Sequence, residues 1–103
     1  MTIDTATDLA ATDPLSYAAS LLDAVGADRE QTPADVALSC LHAAEQLELA
    51  GARARPTPLI AGDPRRSIRV AMAALAEVEE DTFARPPVLE AARTARRALR
   101  RLA

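Results

Sequence analysis

The sequence predicts an all-α fold, a compact four-helix bundle with a flexible N-terminal tail, and three observations carry that expectation. Alanine supplies 25 of the 103 residues, and alanine is the strongest helix former while adding little to a pleated sheet. Only Tyr17 and Phe83 are aromatic, so the broad side chains that favour strands are nearly absent. Prolines, finally, stand at the start of each apolar-periodic stretch. Three of them follow a residue that caps helices, in Asp13-Pro14, Thr32-Pro33 and Asp63-Pro64, and Pro86-Pro87 marks a fourth start. Proline fits the first helical position because its missing N–H has no intrahelical acceptor there.

Residues 1–12 mix acids with threonine and alanine and contain no apolar run. They read as a flexible tail without an export signal, in which Ile3 and Leu9 are the residues able to dock. Residues 13–103 read as a single helical-bundle domain. The first helix is expected over 14–26. Leu15, Ala18, Ala19, Leu22 and Val25 form one stripe, and Gly26 suits a left-handed C-terminal stop.

The second helix is expected over 33–51, with Thr32 as N-cap and Asp35 three residues on, a short capping box. Val36, Cys40, Ala43, Ala44 and Leu47 form a core stripe, with Leu41 at its edge. Leu38, His42 and Leu49 form a second stripe more than a third of a turn away, with Glu45 in line between them. Such a helix is either central in the bundle or carries an interface, and a homodimer through this helix is the expectation. The connection that follows, from Gly51 to Gly62, is longer than most helix-to-helix links and contains Pro56 and Pro58. Leu59 and Ile60 are expected to tuck it down.

The third helix is expected over 64–82, with Ile68, Ala71, Met72, Leu75 and Val78 inward. Glu77, Glu80 and Asp81 would then occupy its last turn, where the helix dipole disfavours acids and fraying is expected. The fourth, over 86–102, carries Arg93, Arg96, Arg97, Arg100 and Arg101 on one arc of roughly 140°. Val88, Ala92, Ala95, Leu99 and Leu102 are expected on the opposite face.

Charge is split along the chain. Residues 1–50 carry nine acids and one arginine, and residues 51–103 carry eleven arginines and six acids, so the halves stand at −8 and +5 within a net charge of −3. The split either holds the fold together or forms a surface for a partner. Twelve arginines and no lysine invite phosphate recognition, yet alanine and arginine codons are G+C-rich and lysine codons A+T-rich, so a G+C-rich bacterial genome is the favoured explanation of the bias. Nucleic acid is the less favoured partner, because the protein is acidic overall and its basic helix has no aromatic residue to stack on bases. A membrane partner is not expected: no segment approaches about 20 apolar residues, and no Trp is present for insertion.

Catalytic signatures are sparse. His42 is the only histidine and the candidate general base, with Glu45 one turn on to orient its ring. Cys40, the only cysteine, lies about 200° around the helix from His42, so the two cannot form a thiolate–imidazolium pair within this helix. A lone cysteine and a lone histidine offer no zinc set, the three glycines form no phosphate loop, and no cofactor or metal is expected. Gly62-Asp63 followed by Ser67-Ile68 at a helix start distantly resembles the serine attachment site of acyl carrier proteins. Arg65, Arg66 and Arg69 stand where carriers usually show acids, however, and the Asp-Ser-Leu motif is missing. The length is similar to that of the small helical-hairpin partners of the WXG type, but the chain has no tryptophan and its prolines interrupt the long helices such hairpins require.

The functional expectation is a small non-catalytic protein–protein interaction or accessory protein of the cytoplasm. Leu38, His42 and Leu49 would form its apolar contact, and Arg93, Arg96, Arg97, Arg100 and Arg101 its polar one. The partner would be a second copy or another protein. Two alternatives are a nucleic-acid-associated regulator using the arginine stripe, and a small helical enzyme or carrier using His42 or Ser67.

Overall fold

The computed structural model describes residues 13–102, so the tail expected over residues 1–12, with Ile3 and Leu9, lies outside the described residues. The chain forms α1 (Pro14–Ala27), α2 (Ala34–Leu49), a 3-10 turn (Ile60–Gly62), α3 (Pro64–Leu75), a one-turn α4 (Glu80–Phe83) and α5 (Pro86–Arg101), with no strand among the described residues. α1 packs on both α2 and α3, α2 packs on α5, and a looser contact between α3 and α5 completes the bundle. Arg101 at the end of α5 reaches Asp35 at the start of α2, so these two helices run antiparallel.

α1 is the central helix, with ten of its 14 residues buried. The five residues expected as its inward stripe are all among them, joined by Ser16, Tyr17, Ser20, Leu21 and Gly26. α2 buries the expected core stripe of Val36, Cys40, Ala43, Ala44 and Leu47 and leaves its outer side open. Few large side chains fill the interior. Leu21, Leu22, Leu47, Ile68 and Leu75 are fully buried, and alanines such as Ala18, Ala71, Ala91 and Ala95 let the helices approach closely.

Four local expectations are corrected. Gly26 is not a left-handed stop, since α1 continues through it to Ala27 and its φ is not positive. A Cβ there would lie 2.5 Å from Leu41 Cγ and Cδ2 and 3.1 Å from the Ala37 carbonyl oxygen, so glycine is required by the approach of α2. Thr32 does not cap α2, whose N-cap is Pro33 with no side-chain cap bond. Its hydroxyl donates instead to Asp28 Oδ2 at 2.8 Å. That bond, with the Glu30 N–H, holds the Asp28 carboxyl below its ordinary value.

α3 stops at Leu75 rather than 82, and the acidic segment restarts as α4 with Glu80 and Asp81 in its first turn. Carboxylates unfavourable at a helix C-terminus become favourable at an N-terminus, which accounts for the break. On α5 the buried residues are Val88, Ala91, Thr94, Ala95 and Ala98, while Ala92, Leu99 and Leu102 are only partly covered. The buried face is turned toward α2, with which α5 makes its larger contact.

Three serines hold the long connection in place. Ser16 Oγ accepts from the Arg53 N–H at 2.8 Å and Ser20 Oγ from the Arg55 N–H at 2.9 Å. Four helical residues rise about 6.0 Å and two extended residues about 6.6 Å, so serines four apart match amides two apart. Ser67 Oγ accepts from the Ile60 N–H at 2.8 Å and donates to the Asp63 carbonyl at 2.8 Å. No buried side-chain nitrogen or oxygen among the described residues lacks a partner.

Candidate interaction surface

The buried stripe of α2 leaves Leu38, Glu45 and Leu49 pointing directly away from the core, with His42 turned toward α5. Leu38 is 67% and Leu49 70% exposed, and they are the large apolar side chains left in solvent among the described residues. The helix edge toward α1 is occupied by Leu41, which packs over Gly26. The sequence-derived second stripe is therefore one outward face rather than part of the core.

His42 meets a carboxylate from α5, not from its own helix. Its Nε2 lies 3.9 Å from Glu90 Oε1, with both side chains about half exposed. The same oxygen accepts from Thr94 Oγ1 at 3.3 Å and lies 3.7 Å from Arg97 Nη2. Arg97 Nη2 also donates to Thr94 Oγ1 at 3.2 Å. Periodicity gave no sign of this cluster, because it depends on the register between two helices. Cys40 lies on the opposite, buried side, where burial pushes its thiol up to about 12. Ser67 is fully buried with its hydroxyl engaged twice, which weighs against its modification. No group of three or more metal-ligating side chains occurs among the described residues.

All five arginines of the α5 stripe are exposed. Arg97 and Arg101 lie on the α2 side, the latter 3.3 Å from Asp35 Oδ2. Arg96 lines a hollow of about 150 Å³ with Met72 and Phe83 on the far side. Arg93, Arg96 and Arg100 make no ion pair among the described residues. Elsewhere, the Arg85 guanidinium donates to the Ala50 carbonyl at 3.0 Å and that of Arg65 donates to the Leu102 carbonyl, so each neutralises a helix C-terminus. A wider, open hollow of about 440 Å³ lies between the end of α1 and the connection, beside Asp23, Asp28 and Thr57. Neither hollow is lined by His42.

No protein-family model, curated protein or solved structure matches the chain. No helix among the described residues is long and apolar enough to cross a membrane.

Proposed function

We propose that this chain is a small non-catalytic interaction protein, an accessory or regulatory protein of the bacterial cytoplasm, that docks a protein partner on the outer face of α2. The observation that carries the reading is the exposure of Leu38 and Leu49 on one outward stripe of a helix whose core stripe is already complete. Covering the exposed part of both leucines contributes roughly 2–4 kcal/mol. Association costs about 4–15 kcal/mol in lost freedom, so a stable complex needs further contacts from the same side of the molecule. His42, Arg97 and Arg101 lie toward that side and supply them; Arg93, Arg96 and Arg100 extend the polar surface.

The test is site-specific photo-cross-linking in the native cells. A photoreactive residue at position 38 or 49 is expected to give a discrete protein adduct, and one at the exposed Ala73 of α3 is expected to give none. Equal labelling from all three positions, or from none, contradicts the reading.

A second reading is favoured by the arginines of α5 that have no ion-pair partner among the described residues. Backbone phosphates of a nucleic acid would bind there in a salt-dependent way. Fluorescence anisotropy with duplex and single-stranded probes would then show binding that collapses between low and high salt and is lost when Arg96, Arg97 and Arg100 become Ala. Absence of binding at low salt removes this reading.

A further inference from the structure

The outward face of α2 is self-complementary. Residues 38, 42, 45 and 49 follow one another at intervals of four, three and four, the spacing by which a helix presents a continuous seam to another helix. At about 100° per residue they remain within about 60° of arc. Their chemistry reads Leu, His, Glu, Leu, and in reverse Leu, Glu, His, Leu. Two copies laid antiparallel about a two-fold axis between Ala43 and Ala44 therefore set Leu38 against the partner's Leu49 and His42 against the partner's Glu45. Each pairing occurs twice.

We infer that the occupant of this face is a second copy of this chain, joined by an antiparallel α2–α2 seam; the inference rests on reading that face as an interface. The alternatives are poorer on the same residues. A parallel seam opposes Glu45 to Glu45, where like charges facing each other are costly, and leaves His42 without a carboxylate across the seam. A slip of seven residues in either direction sets Leu38 against His42 or Leu49 against Glu45, and leaves the remaining leucines uncovered. The central polar layers thus fix orientation and register while the outer leucine layers contribute the apolar burial. One seam of this length falls at the small end of protein interfaces, so the dimer is reversible and dissociates on dilution.

Two variants test the seam. His42→Glu places acids at both central positions, and the double variant His42→Arg, Glu45→Arg places arginines at both. Both sites are exposed, and circular dichroism establishes that each variant folds. Alone, each is expected to self-associate at least about tenfold more weakly than the wild type, because like charges now face each other twice. Mixed in equal amounts, they are expected to form a heterodimer, seen by sedimentation velocity at concentrations where neither associates alone. Three results overturn the inference: a mixture no heavier than its components, variants that dimerise as well as the wild type, or a wild type that stays at the mass of one chain at every concentration. A single-chain wild type whose positions 38 and 49 still cross-link to a different protein overturns the self-pairing alone, and absence of any adduct removes the interface with it.

Discussion

Ser20 shows how much of this fold depends on single hydrogen bonds. Its hydroxyl donates to the Ser16 carbonyl at 2.7 Å while accepting from the Arg55 N–H. Ser20→Ala leaves that amide without its partner and is expected to cost about 1–3 kcal/mol. Native-state hydrogen exchange would show the Arg55 amide speeding up by more than the amides in the middle of α3, which report only the loss of global stability. Cys40 makes a second prediction through its buried thiol, raised from 9.0 to about 12. Well below pH 9 the thiol is neutral in both states and stability is indifferent to it. Above that the unfolded chain loses a proton that the folded chain keeps, so stability falls as pH rises toward 12. The loss is on the order of 1 kcal/mol by pH 10. Urea unfolding at pH 8 and pH 10 should show this loss in the wild type and not in Cys40→Ala.

The helices differ in how openly the chain announces them. Pro14, Pro64 and Pro86 start helices as the sequence predicts, and the Asp13 and Asp63 carboxylates accept the expected cap bonds, from Ser16 and from Arg65 and Arg66. Thr32 was misleading because a capping residue is recognised by type, whereas its hydroxyl is taken by Asp28, a competitor four residues away. The early end of α3 was half legible, since the acids that disfavour a C-terminus were visible but their reuse as the start of α4 was not. The α2 face was legible from periodicity alone; the meeting of His42 with Glu90 was not, because it is set by how α5 lies across α2. The α1–α2 approach is likewise tertiary, and it yields a prediction at this scale. Gly26→Ala gains about 0.5–1 kcal/mol of helix propensity but forces a Cβ into Leu41, an overpacking cost of about 1–3 kcal/mol. A net loss in thermal stability is expected. Adding Leu41→Ala should remove most of the clash, so the two changes combine non-additively in a double-mutant cycle.

At the scale of the molecule, the division of charge along the sequence is only partly spent on the fold. Arg101–Asp35 is the one ion pair among the described residues that joins an acid of the first half to an arginine of the second. Being exposed, it contributes at most about 1 kcal/mol. Arg85 adds a second cross-half link through the carbonyl at the end of α2. Most arginines of α5 therefore stay on the surface beside the apolar stripe, and high salt should lower the stability of the folded chain only slightly. The central claim is that the outer face of α2 is an interface that a second copy can fill. The most direct test is the mass of the wild type by sedimentation equilibrium over a wide concentration range, at low and high salt, beside Leu38→Arg. The account predicts a mass rising from 10.9 kDa toward twice that value with concentration, persisting at high salt because leucine contacts contribute its apolar burial, and abolished in Leu38→Arg. A mass that stays at 10.9 kDa throughout, or a dimer unaffected by Leu38→Arg, would contradict it.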